Sequence, residues 1–113
     1  MISFACKKIA EKELITCSLG LNKSEYDVFR FLLNHDSAAV IQIAAWLEKD
    51  RSLVQKAIKE LLKKKIIERR QRNIEKGGYV FVYSLKSKKA LKKKIMKNVN
   101  SWCSAARQKV REL

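Results

Sequence analysis

The hydrophobic period of this chain changes at Lys65, and that change limits the architectures open to it. Before it, apolar residues recur every three or four positions, as one face of a helix requires. After it, Ile66–Arg72 and Tyr79–Leu85 form extended runs, the second almost wholly β-branched and aromatic, and Gly77-Gly78 can turn the chain between them. From Ser87 the helical period returns: Leu91, Ile95, Val99, Trp102, Ala106, Val110 and Leu113 are spaced by 4, 4, 3, 4, 4 and 3. The pattern predicts a mainly α chain with one small β-hairpin, an α+β arrangement. A two-stranded hairpin is not stable alone, so it must pack on the helices. No Pro and 3 Gly among 113 residues weigh against a turn-dense all-β fold.

The helical part divides at polar breaks. Ile2, Ala5, Cys6, Ile9 and Ala10 fall at helical spacing, with Lys7, Lys8, Glu11 and Lys12 opposite, which predicts a first helix over Ile2–Cys17. Asn22 and Glu25 have the spacing of a capping box and open a second helix, with Tyr26, Phe29, Leu32 and Leu33 as its stripe. The lone histidine, His35, reads as a residue of that helix's end rather than a ligand or base. Ala38-Ala39-Val40 is a strand stub, and Ile41–Leu47 a short helix with Ile43, Ala44 and Leu47 inward. Glu48-Lys49-Asp50 is a tight polar turn from which Asp50 can cap the next helix. That helix runs to about Lys64, with Val54, Ala57, Ile58, Leu61 and Leu62 on its apolar face.

Charge narrows the function. Lys and Arg number 26 against 11 Asp and Glu, a net of +15. Residues 1–50 hold 6 cations and 7 acids, whereas residues 51–113 hold 20 and 4. A solvated surface needs no such one-sided distribution, whereas a polyanionic partner would offset its self-repulsion. The longest uncharged run, Ser37–Leu47, is too short to cross a membrane, and the N-terminal residues lack the apolar core of a signal peptide. Cys6, Cys17 and Cys103 are odd in number and widely spaced, which fits small buried hydrophobes in a reducing, cytoplasmic setting. Without a Cys-x-x-Cys, a glycine-rich phosphate loop or a recognisable acid pair, neither a metal, a cofactor nor an enzyme is expected.

Helix, helix, short helix, turn, basic helix and hairpin is the order of a winged helix-turn-helix domain. The stretch "IQIAAWLEKDRSLVQKAIKELLKKKIIERR" resembles the helix-turn-helix core of the MarR and TrmB groups of archaeal and bacterial regulators. "SLGLNKSEYDVFRFLL" is similar to what precedes that motif in TrmB-like proteins, so the resemblance spans residues 19–85. It implies a winged helix-turn-helix fold and a DNA-binding transcriptional regulator; the apolar spacing outside it adds long N- and C-terminal helices. Two departures stand out. The family commonly has Gly where Lys65 stands, and a left-handed Lys would cost about 1 kcal/mol relative to Gly, so a different turn is expected. TrmB-like proteins also often carry a large effector domain behind the DNA-binding domain. The residues after the hairpin are too few for one, so no effector site is carried over.

In the helix-turn-helix mode the second helix enters the major groove, led by its N-terminal residues. Those are Arg51, Ser52, Gln55, Lys56 and Lys59. Arg51 and Gln55 have bidentate geometry for guanine and adenine, and Ser52 can reach a base edge or a phosphate. Lys56, Lys59 and Lys63 suit phosphates. The alternative is an ordinary solvated helix face. Arg69, Arg70, Arg72 and Lys76 crowd the hairpin's rising strand and tip, where a wing meets the backbone or minor groove. The same charges could instead blunt an edge strand against aggregation.

The last helix is longer than one small domain can cover, so its surplus apolar stripe predicts a homodimer. Leu91, Ile95, Val99, Trp102, Ala106 and Val110 would form the interface, with Ile2 and Ile9 of the first helix assisting. This divides the chain into 1–18 and 87–113 for dimerisation and 19–86 for duplex DNA. The Lys-rich start of the last helix keeps open an architectural DNA-coating protein.

Overall fold

The computed structural model describes residues 2–4 and 7–113, with side chains described from residue 9 onward. Its elements are β1 (Ile2–Phe4), β2 (Lys7–Ile9), α1 (Glu11–Leu19), α2 (Lys23–Leu33), α3 (Val40–Leu47), α4 (Arg51–Lys63), β3 (Ile67–Asn73), β4 (Tyr79–Leu85) and α5 (Lys88–Arg111). Packing divides them into two units. Asn22–Ser87 form one, and the segment up to Leu21 together with Lys88–Leu113 forms the other. No helix among the described residues is long and apolar enough to cross a membrane.

In the unit Asn22–Ser87, three helices and a hairpin enclose one core. Its fully buried side chains are Val28, Leu32, Ile43, Val54, Leu61 and Ile66, each contributing about 1.5–3 kcal/mol by leaving water. The Asn22 side chain accepts the Glu25 N–H at 2.8 Å and starts α2 as expected. The Glu25 carboxylate does not close a reciprocal box. It is buried and accepts a 2.5 Å bond from Lys64 at the end of α4. Gln42 Oε1 accepts the Ala39 N–H at 2.9 Å, satisfying a backbone donor at the start of α3. Asp50 precedes α4 without a side-chain cap bond; its backbone carbonyl accepts from Val54 instead.

α1, α3 and α4 are followed by left-handed residues, two of which are not glycine, whereas α2 ends at Asn34 in the right-handed region. Glu48 has φ 54° and Lys65 φ 59°. After α4 the Lys65 N–H donates to the Leu62 carbonyl and the Ile66 N–H to the Leu61 carbonyl, with Leu61 and Ile66 both fully buried. The turn at Lys65 is therefore the glycine-type turn, kept in spite of its Cβ; the paired bonds and the buried contact offset the strain.

β3 and β4 pair antiparallel from Ile67↔Leu85 to Asn73↔Tyr79. The expected stub is present: Ala38 exchanges both backbone bonds with Tyr83, at 3.0 and 2.8 Å. Gly77 and Gly78 turn the hairpin with φ 99° and 81°.

In the other unit the structure departs from the expected long N-terminal helix. β1 and β2 pair antiparallel with Ile2 opposite Ile9 and Phe4 opposite Lys7, and α1 starts only at Glu11. Ile2 and Phe4 alternate with Ser3 in the period of a strand, and the helical spacing over residues 2–10 was a coincidence of five apolar residues. Glu11 and Glu13 in the first turn of α1 favour that start through the helix dipole. Cys6, expected to be a small buried hydrophobe, lies outside the described residues. Cys17 and Cys103 are exposed rather than buried. α1 packs on α5, where Asn98 Nδ2 donates to the Ser18 carbonyl at 2.6 Å.

Candidate nucleic-acid interface

The buried side of α4 dictates what its other side presents. Val54, Ala57, Ile58 and Leu61 are buried. At about 100° per residue, Arg51, Ser52, Gln55, Lys56, Lys59 and Lys63 then occupy one arc of about 140°. All six are exposed. Arg51, Gln55, Lys59 and Lys63 form a row along the axis, with Ser52 and Lys56 beside it. Lys63 shares its charge with Glu60 at 3.5 Å, which makes it the least available of the six. Sequence reasoning missed Leu53, which is 48% exposed beside Ser52. The signal was present, since Leu53 lies off the apolar stripe.

Two ion pairs fasten this segment to α2. Lys49, in the turn before α4, meets Asp27 at 2.6 Å, and Lys64, just after α4, meets Glu25 at 2.5 Å. Both ends of the basic helix are thus tied to the same neighbour. Such pairs are weak evidence of net stability, but they fix geometry. The partners are 22 and 39 positions apart, so no local pattern marks them.

The hairpin's cations are all exposed, but the structure does not bring them together. Arg70 and Arg72 share one face, opposite Val82 and Val80. Arg69 points to the other face, where its guanidinium lies 4.3 Å from the Phe81 ring centroid. Tyr79 meets Phe81 edge-on at 5.3 Å. Lys76 sits in the turn. The wing therefore has a cationic face and an aromatic face, each with its own recognition chemistry.

The expected interface residues of α5 fall into two groups. Leu91 is buried within the chain, which leaves it little surface for a second copy; Ile95 and Val99 are half-buried. Trp102, Ala106 and Val110 are exposed, Trp102 by 46% and Val110 by 66%. Ile9 is half-buried at the end of β2, and Ile2 is described by its backbone alone; neither lies on a helix. Charge is also distributed unexpectedly. The unit Asn22–Ser87 holds 14 cations and 8 acids, and the rest of the chain 12 and 3. The larger excess lies outside the helix-turn-helix.

The chain is similar to an uncharacterized protein of Methanocaldococcus jannaschii, with 30% identity over the whole chain and 86% of that protein. Among solved structures, a possible transcriptional regulator from Methanosarcina mazei superposes with a TM-score of 0.82 at 35% identity, over 99% of this chain and 95% of that one. A MarR-family regulator from Silicibacter pomeroyi shares the fold alone, with a TM-score of 0.52 and 13% identity over 80% of this chain and 62% of that one. The model of the family described as the sugar-specific transcriptional regulator TrmB matches residues 16–98, from the second turn of α1 into α5. That match spans the whole winged helix-turn-helix, and the chain belongs to the TrmB family of transcriptional regulators.

Proposed function

We propose that the protein is a homodimeric, sequence-specific regulator that binds duplex DNA in the cytoplasm, with α4 in the major groove and the β3–β4 wing on the backbone or minor groove. The observation that carries this is the α4 arc: one exposed face of Arg, Ser, Gln and Lys, with the opposite face buried. Arg51, Ser52 and Gln55 read base edges, and Leu53 is placed for the methyl group of a thymine. Lys56, Lys59, Arg70 and Arg72 neutralise phosphates, with Lys63 and Lys76 at the margins. Arg69 works from the aromatic face of the wing. Residues 19–86 act as the DNA-binding domain and residues 1–18 with 87–113 as the dimerisation part. If a dimer neutralises roughly 6–10 phosphates, affinity falls about 10³–10⁵-fold between 50 and 200 mM salt. A titration by fluorescence anisotropy checks this, and a flat salt response overturns it.

Dimerisation follows from the exposed end of the α5 stripe, Trp102, Ala106 and Val110, continued by the edges of Ile95 and Val99. Because Trp102 and Val110 face solvent in one chain, Trp102→Glu with Val110→Glu leaves the fold intact and places uncompensated charge only in the interface. The pair is expected to weaken the dimer by at least about 3 kcal/mol, or 10²-fold. Sedimentation equilibrium should show a halved mass with unchanged circular dichroism. A second reading, a sequence-tolerant architectural protein, is favoured by the charge excess outside the helix-turn-helix. Equal affinity for a chromosomal fragment selected by the protein and for its scrambled version would support it.

A further inference from the structure

α5 has a second face that the dimer stripe does not use. At about 100° per residue, Lys89, Lys93, Lys97, Asn100, Ser104 and Arg107 form one band along the helix, opposite the side where Leu91 is buried and Asn98 reaches Ser18. All six are exposed, and each can donate hydrogen bonds. The band is about 27 Å long, the rise of roughly eight phosphates along one DNA strand. No acidic residue occurs between Glu75 and Glu112. Lys89, Lys93 and Lys97 have no side-chain hydrogen bond or ion pair among the described residues.

For a helix on its own this placement is unfavourable. The lysines repel one another at four-residue spacing. Lys89 also lies in the first turn, where the helix dipole disfavours cations, and no acid stands there. A face serving only solubility would mix both signs. A polyanion alongside reverses each of these effects.

We propose that the Lys89–Lys93–Lys97 face of α5 is a second phosphate-backbone surface, binding duplex DNA independently of sequence and in addition to α4 and the wing. The proposal rests on the DNA-binding reading above, which supplies the polyanion. It gives the regulator a general-affinity element on a different helix from its base-reading one.

The test uses the full chain carrying Lys89→Gln, Lys93→Gln and Lys97→Gln, compared with wild type and with Lys59→Ala. Affinity is measured between 50 and 200 mM salt for a chromosomal duplex selected by the wild type and for its scrambled version. At about 0.9 per phosphate, the triple variant is expected to lower the log–log salt slope by roughly 2–3 per protomer, or about 5 for the dimer, on both duplexes alike. Circular dichroism and sedimentation mass should match wild type. An unchanged slope, with Lys59→Ala still reducing it, overturns the α5 surface and leaves the α4 reading intact. A wild type that selects no chromosomal duplex and binds none in the titration overturns both. Loss of binding to anionic phospholipid vesicles with the DNA slope unchanged would assign the face to a membrane surface instead, and overturn it as well.

Discussion

α4 and α5 are both amphipathic and basic, yet only one is complete within the chain. The stripe of α4 is buried from Val54 to Leu61, and only Leu62 at its end is half-buried. The stripe of α5 is buried at Leu91, half-buried to Val99 and exposed beyond. Length accounts for this. α5 has 24 residues, about 36 Å, and α1, which packs on it, has 9, about 14 Å. An apolar stripe reports which side of a helix avoids water. It does not report whether the covering surface belongs to the same chain.

The largest expected effect tests that contrast directly. Leu61→Ala removes a fully buried side chain and should cost about 2–5 kcal/mol in urea unfolding at any protein concentration. Trp102→Ala should cost little when the protein is dilute, since surface substitutions stay within about 0.5 kcal/mol. At concentrations that favour dimer the loss should approach 3–5 kcal/mol, and the melting temperature of the wild type should rise with concentration. A Trp102→Ala effect that is small at every concentration would break the comparison, leaving the end of α5 merely wet.

Next in size is a difference in kind between side chains on α4 itself. Gln55→Ala should remove about 1–3 kcal/mol of preference for the selected duplex over its scrambled version and barely alter binding to the latter. Lys59→Ala should weaken both alike and lower the salt slope by about one per protomer, or about two for the dimer. If Gln55→Ala and Arg51→Ala weakened both duplexes equally, α4 would be touching backbone only. The charge-rich α5 would then be the better guide to function, as a sequence-tolerant binder.

What could be read in advance follows the same division. Residues 22–87 were legible because their signals are local: the Asn22 cap, the α4 stripe, and Gly77-Gly78 between two extended runs. The N-terminal hairpin was not, because two three-residue strands are too short for a period of two to compete with chance helical spacing. The split of Arg69 from Arg70 and Arg72 was available from their odd and even positions, though counting cations along the strand hides it. The Glu25–Lys64 and Asp27–Lys49 ties were beyond any local reading, since tertiary packing alone brings them together. The α5 stripe was legible as apolar, but the portion already covered within the chain was not.

The smallest effect concerns one turn that occurs in both units with different residues. α1 ends at Gly20, φ 67°, with the Leu21 N–H donating to the Thr16 carbonyl at 2.9 Å. α4 ends at Lys65, φ 59°, with the Ile66 N–H donating to the Leu61 carbonyl at 3.1 Å. Both turns share the bond reaching five residues back, although the Gly20 N–H donates to the Thr16 carbonyl, four back, and the Lys65 N–H to the Leu62 carbonyl, three back; the larger difference is the Cβ that crowds a left-handed backbone. A Cβ built at Gly20 meets nothing within 4 Å, so a substitution there is opposed by backbone strain alone. Gly20→Ala should therefore destabilise by about 1 kcal/mol. Lys65→Gly should stabilise by slightly less, about 0.5–1 kcal/mol, because glycine also gains freedom in the unfolded chain. In thermal unfolding these are shifts of roughly 4 °C in opposite directions. Lys65 is exposed just past the end of α4, so the salt slope for DNA separates the backbone effect from any charge effect. A more stable Lys65→Gly protein with an unchanged slope identifies Lys65 as strain without function. A more stable protein whose slope falls by about one per protomer identifies it as a phosphate contact retained at the expense of the turn.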